Sequence, residues 1–512
     1  MKKSLFLFVS LGAVSALASC GGTPAVSSSS VAPATSSAPT TSVPTTSVPT
    51  TSVTPTTSIP DDQKITITYK STTGKDTQPY LEAYLAEFNK TYPQYKAVAE
   101  YYSGSYDALK QDTIKGFSAG NYPDLVQCYP DHVAEYINYG KGVNLDTYID
   151  DAEIGLSAED KADYVPAYLE EGKQFQVSGT YLLPNSKSTE LMFWNKGVLN
   201  GLKLPGVNGG NALGQAYFDN LTWEELFNVL CPAIVTYDNG LEAGKKILKT
   251  DQAYHAVFGY DSDDNLFITL AAQYGYDYTS INTTTGKGSA DFVNDGMKSL
   301  MKTFHTAANN GYIISKGSAG GNYTNTYFTK QNTLFSVGST GGVKYQYDKS
   351  NPMDVGVARI PHADGKDPKV ISQGPGVTVL SHGTDETGKL RAKGAYLLWK
   401  TMTTAKNSLN WAMNSGYMPI RTSSYADESY IAANDETQYE VSTLDRLMAR
   451  SNTYGAKLSN DLFTSPVFIG SSACRNAGSA IMTYALTKGD ITDETLAAKF
   501  TEQYNNAVKN IQ

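Results

Sequence analysis

The sequence of 512 residues predicts a two-lobed α/β protein with parallel sheets. Three observations carry this. Strand-like and helix-like segments alternate from residue 64 onward, apolar residues make up 40% of the chain, and no linker interrupts the chain after its first strand. The elements follow in order. Lys64–Tyr69 alternates polar and apolar residues, the pattern of a half-buried strand. Leu81, Tyr84, Leu85 and Phe88 recur at helical spacing, and Pro93 stops that helix. A second strand spans Tyr95–Tyr102, a helix runs from Tyr106 to about Ser118 and stops at Gly120, and Asp124–Cys128 is a short apolar strand. Further strands are expected near 191–194, 334–337 and 377–380, with helices near 223–230 and 291–308. One long helix is expected over Lys389–Asn414, ahead of a mostly helical C-terminal portion.

The amino terminus has its own logic. MKKSLFLFVSLGAVSALASC carries Lys2 and Lys3, then an apolar run too short to span a bilayer, then small residues before Cys20. It resembles the bacterial lipobox, in which the signal (1–19) is removed and Cys20 takes the lipid that anchors the protein to the membrane. From Gly21 to Pro60 the chain has no charge and repeats TTSVP, so prolines keep it extended as a tether. Forty such residues reach about 120 Å at most. The linker is assigned to residues 20–62. Beyond it no apolar run is long enough to span a membrane.

A net charge of −9 without basic runs argues against a nucleic-acid partner. The 36 tyrosines offer flat apolar faces with a hydroxyl, which suits polar organic ligands. Beyond Cys20, the cysteines Cys128, Cys231 and Cys474 are too widely spaced for a zinc site and read as buried thiols. Enzyme motifs fail on context. Gly116-Phe-Ser118-Ala-Gly120 matches a nucleophile elbow, but its serine ends a helix rather than a strand. Asp261–Asn265 opens like a calcium loop, yet Leu266 and Ala272 stand where glycine and glutamate are needed. The five histidines show no metal spacing, and no cofactor or metal is expected. A glycosidase's paired carboxylates stay open, because they are distant in chain order.

Ligands of open α/β sheets bind beyond the carboxyl ends of strands. Five loops hold small, hydroxylated or aromatic residues there: Tyr106-Asp107, Tyr129-Pro130-Asp131, Pro184–Thr189, Gly338–Gly342 and Gln373–Gly376. The segments FSAGNYPDLVQCYPD, LLPNSKSTELMFWNKGVL, TYFTKQNTLFSVGSTGG, QGPGVTVLSH and AYLLWKTMTTAKNSLNWAMNSGYMPIRTSSY resemble the extracellular solute-binding proteins of bacterial ABC importers. The match is to the carbohydrate-binding class that includes maltose-binding and glycerol-3-phosphate-binding proteins, and it covers Ile65 to the C-terminus.

The resemblance implies a type II periplasmic-binding-protein fold with a hinge and an inter-lobe ligand cleft. It puts lobe 1 at 63–184 plus 352–402 and lobe 2 at 185–351 plus 403–512. It implies a monomeric receptor, not an enzyme, that passes a small solute to permease subunits outside the cytoplasmic membrane. Tyr106, Asp107 and Asp131 would approach the ligand from lobe 1, with Tyr129 beside them. Ser188, Ser339 and Tyr417 would approach from lobe 2, with Thr340 adjacent and Gly374 near the crossing.

Two departures matter. Glycerol-3-phosphate binders place an arginine just before a Leu-Gly-Asn segment, whereas here the comparable FIGSSACR has its nearest arginine at Arg475. The tryptophan expected near Gly259–Leu266 is replaced by DSDDN, where Asp261 or Asp263 could accept hydroxyl protons. A neutral sugar or oligosaccharide is therefore expected. A surface glycoside hydrolase, a glycerophosphodiester or glycerol-3-phosphate binder, and a stalked adhesin are the alternatives.

Overall fold

The period-two alternation near residue 64 becomes an interior strand of a sheet. The computed structural model describes residues 59–282 and 284–511, so the signal segment, Cys20 and residues of the tether through 58 lie outside the described residues. Strand β1 (Ile65–Ser71) buries Ile67, Tyr69 and Ser71 on one face. It pairs in parallel with β2 (Tyr95–Tyr101) and β3 (Leu125–Cys128). The connecting helix α1 (Gln78–Thr91) buries Leu81, Tyr84, Leu85 and Phe88, the expected stripe. Helix α2 (Tyr106–Ala119) starts at Ser105, whose hydroxyl accepts from the Ala108 amide. Helix α3 (Pro130–Asn138) starts with proline, which lacks only an amide that would have gone unpaired. Strand β4 (Leu183–Pro184) lies at the sheet edge.

The second sheet takes β5 (Glu190–Asn195), β6 (Phe258–Tyr260), β7 (Ile313–Ser315), β8 (Phe335–Ser339) and β9 (Val355–Ala358), in the order 9-5-8-6-7. Its core gathers Trp194, Trp223, Phe258 and Phe304. Strand β10 (Gly376–Val379) returns to the first sheet, antiparallel to β3 and β4, giving the order 2-1-3-10-4. Helices α4 (Asp263–Tyr274) and α5 (Asp295–Asn309) cover the second sheet. Helix α6 (Glu386–Met402) covers the first, joined by α7 (Ala405–Ser415). Helices α8 (Leu444–Lys457), α9 (Ser471–Leu486) and α10 (Asp493–Val508) complete the second lobe. The two-lobed α/β architecture is as expected, and Cys128, Cys231 and Cys474 are buried free thiols.

Several expectations are corrected. The resemblance implies that the segment from 352 belongs to the first lobe, but β9 pairs antiparallel with β5, Val355 opposite Asn195 and Ala358 opposite Met192, so the return comes near Gln373. Residues after 403 were assigned to the second lobe, yet α7 and the loop beyond it sit on the first. Tyr84 donates to the Asn407 carbonyl, and Arg421 bonds Asp160 and Asp163 at 3.1 Å each. The single helix over 389–414 is two, because Thr404 caps α7 by accepting from the Asn407 amide. The helix at 223–230 runs on to Asn239 through a π turn, in which the Cys231 amide reaches Leu226 just before Pro232, a residue with no amide of its own.

The chain passes between the sheets along two adjacent segments, and a third packs against them. Ser188 and Gln373 exchange backbone hydrogen bonds of 2.9 Å, and the Met418 amide donates to the Lys187 carbonyl. Gly374, at φ 89°, is obligatory there: a Cβ would lie 2.0 Å from the Ser186 carbonyl oxygen. Beneath the crossing, Lys187 (0% exposed) pairs with Glu171 (5%) at 2.5 Å.

Candidate functional site

Between the sheets lies a cleft of about 1240 Å³, floored by the crossing segments. Its first-lobe wall comes from two helix starts that follow strands. Tyr106 opens α2, and Tyr129 precedes Pro130 at the start of α3; their rings meet edge to face at 4.9 Å. Tyr417 completes the group, its hydroxyl 3.4 Å from that of Tyr106. Burial, reinforced by Tyr106 and Tyr129, raises the Tyr417 phenol well above its ordinary value, so it stays neutral. Expected from the second lobe, Tyr417 is instead carried by the loop fixed to the first through Arg421. Its ring does reach the second lobe, lying 3.1 Å from where a Cβ on Gly341 would sit.

Asp107 and Asp131 frame these rings. His132 Nε2 lies 3.2 Å from Asp107 Oδ1, and that hydrogen bond pulls the carboxyl below its ordinary value against a smaller opposing effect of burial. Burial pushes Asp131 up, but His132, Arg475 and a 2.5 Å bond from Ser472 together outweigh it and bring the carboxyl below its ordinary value. That last bond crosses from α3 to α9, so the walls touch at this end of the cleft. Gln174 and Thr464 make a second crossing at 2.7 Å.

The second wall is more buried. Ser188, Ser339 and Gly374 line the cleft as expected, with Ser339 Oγ accepting from the Gly341 amide. Thr340, expected beside Ser339, is 1% exposed and turned inward, where its hydroxyl meets the Thr189 amide. Asp263 reaches the cleft edge, but its carboxylate accepts from Ser315, the Gly317 amide and Thr483, which makes it a brace rather than an open acceptor. Arg475 faces the cleft already engaged by Asp264 at 2.5 Å and Asn265 at 2.7 Å. Burial opposes its charge, but Asp264 and Asp131 outweigh that and raise its pKa.

Sequence reasoning missed Glu190 and Gln346. Glu190 opens an apolar strand, is 1% exposed, and is held by Tyr260 and Asn265. Burial pushes its carboxyl up to about 7. Asp107, Asp131, Glu171, Glu190, Asp261, Asp263 and Asp264 line the cleft, against Lys316 and Arg475 as permanent cations. The arrangement offers many acceptors, flat aromatic faces and little to attract an anion. Among the described residues no group of three or more His, Cys, Asp or Glu is placed to hold a metal ion.

By sequence the chain matches no curated protein. Solved structures share its fold. UgpB from Mycobacterium tuberculosis, in complex with glycerophosphocholine, superposes with a TM-score of 0.63 at 17% identity, covering 86% of this chain and 97% of that one. The GacH receptor of Streptomyces glaucescens, determined unliganded and with acarbose, gives 0.61 at 16%, covering 87% and 99%. The cyclic α-maltosyl-1,6-maltose binding protein of Arthrobacter globiformis gives 0.62 at 14%, covering 87% and 100%. A family description, bacterial extracellular solute-binding protein, matches residues 83–437, and the chain belongs to that family.

Proposed function

We propose that this protein captures a neutral, hydroxyl-rich solute, a sugar or short oligosaccharide, and presents it to the permease subunits of an ABC importer without chemical turnover. The observation that carries this reading is the pairing of Tyr106, Tyr129 and Tyr417 with ionised Asp107 and Asp131 around a roomy cleft. Tyrosine faces stack on the apolar faces of sugar rings, and carboxylates accept from their hydroxyls. Ser188, Ser339 and Gly374 would add close polar contacts from the crossing. UgpB and GacH, with glycerophosphocholine and acarbose, support a small polar ligand. A phosphodiester fits less well, because Arg475 is held by Asp264 and Asn265 and faced by Asp131.

In this reading Cys20 carries a lipid and the tether lifts a monomeric receptor from the outer face of the membrane. No helix among the described residues is long and apolar enough to cross one. A melting screen against sugars, polyols and phosphodiesters tests the reading, because a ligand that binds only the folded state raises its stability. Sugars are expected to raise the midpoint and to be recovered unchanged. A response to phosphorylated compounds alone, or steady release of product from an oligosaccharide, overturns it.

A further inference from the structure

Among the described residues, Gln346 is the side-chain amide lining the cleft whose buried oxygen lacks a partner. Gln346 ends the tight helical turn Thr340–Gln346, and with three residues per turn it shares a face with Thr340 and Val343, the buried face. It is 2% exposed and lines the cleft, and among the described residues its buried Oε1 has no hydrogen-bond partner. A buried amide left unpaired is costly, so a native fold that keeps one at a binding cleft points to a bond made from outside.

Asp261 stands nearby. Its Oδ1 accepts from the amide and hydroxyl of Thr324 at 2.6 Å each, which fixes the carboxylate's direction. Its Oδ2 turns toward Gly338. A Cβ built on Gly338 would lie 2.9 Å from Asp261 Oδ2 and 2.7 Å from Gln346 Nε2. The two polar heads therefore converge beside Gly338, where the missing side chain leaves them room, and both line the cleft.

We propose that Asp261 and Gln346 form a subsite that reads two neighbouring hydroxyls of a sugar ring. A carboxylate only accepts, whereas a side-chain amide both donates and accepts, in either orientation of its terminus. Each hydroxyl of a vicinal diol can donate one bond and accept another. One hydroxyl gives its proton to Asp261 while the second bonds the amide of Gln346. A phosphate in the same place would meet Asp261 with like charge.

This subsite rests on the sugar reading above, and the test separates the two. Maltotriose, isomaltotriose, cellotriose and raffinose are titrated calorimetrically into the wild-type protein, and the tightest of them into Gln346→Met and Gly338→Ala. The first variant removes the amide at similar volume, and the second places a methyl group under 3 Å from both polar heads, which must move apart to admit it. Each is expected to weaken binding about tenfold or more, and Gln346→Met to keep an unliganded melting midpoint within about 2 °C of wild type. Wild-type affinity in either folded variant overturns the subsite alone. Failure of the wild type to bind any of the four sugars overturns the sugar reading and the subsite with it.

Discussion

The two walls of the cleft shift most of their carboxylates in opposite directions, although burial also raises Glu171 beneath the crossing. On the first-lobe wall, Asp107 and Asp131 lie below the ordinary aspartate range, because hydrogen bonds and nearby positive charge outweigh burial. On the second-lobe wall, Glu190, Asp261 and Asp263 lie above their ordinary values, because burial outweighs the hydrogen bonds they accept. Asp264 is the exception there, since Arg475 more than offsets its burial. Carboxylates thus ionise readily on one side, while on the other burial resists their ionisation, according to their surroundings. The aromatic faces follow the same division: Tyr106, Tyr129 and Tyr417 belong with the charged wall.

The largest expected effect breaks the floor on which both walls stand. Lys187→Met leaves Glu171 buried without its partner and is expected to cost about 3–5 kcal/mol of stability at neutral pH. Part of that returns toward pH 5 as the carboxyl protonates, and adding Glu171→Gln restores most of it. Denaturant melts at two pH values check this. Equal stability of Lys187→Met and wild type would mean that the ion pair is not what holds the crossing.

A middle effect isolates the buried wall. Glu190 titrates near 7 in the folded protein against an ordinary value of 4.5, so the native state binds more protons between those pH values. Its contribution therefore falls as pH rises from about 4.5 to about 7, by about 3 kcal/mol at most. Glu190→Gln removes the ionisation, and its thermal midpoint should decline less than that of wild type over this window. Parallel curves would mean that Glu190 ionises as easily as an exposed glutamate. The smallest effect tests the tyrosine wall. Tyr417→Ala should weaken sugar binding about tenfold, with little change in the unliganded melt. A stability loss at unchanged affinity would make Tyr417 a plug between Tyr106 and Gly341.

Much of this was readable locally. The alternation in Lys64–Tyr69 and the stripe Leu81, Tyr84, Leu85 and Phe88 are direct consequences of strand and helix periods, so β1 and α1 fell where expected. Tyr106, Asp107, Tyr129 and Asp131 were legible because they sit where strands hand over to helices, next to capping and proline signals. The lobe assignment of Val355–Ala358 was not, since a four-residue apolar run carries no mark of which strand it will pair with. The break between α6 and α7 hung on a two-residue Thr403-Thr404 step, too brief to interrupt the helical pattern. Gln346 gave no signal at all, because its importance lies in what its amide fails to meet.

By itself the sequence determined the α/β class and the turns that present side chains at strand ends, both of which follow from short-range periodicity and turn chemistry. Only the tertiary structure decided that Tyr417 stands on the first lobe, that Asp263 is a brace while Asp261 turns toward Gly338, and that Glu190 titrates near neutrality. The physical reason is common to all three. Burial and hydrogen-bond partners are set by residues far apart in the chain, and those contacts exist only once the sheets have closed around the cleft.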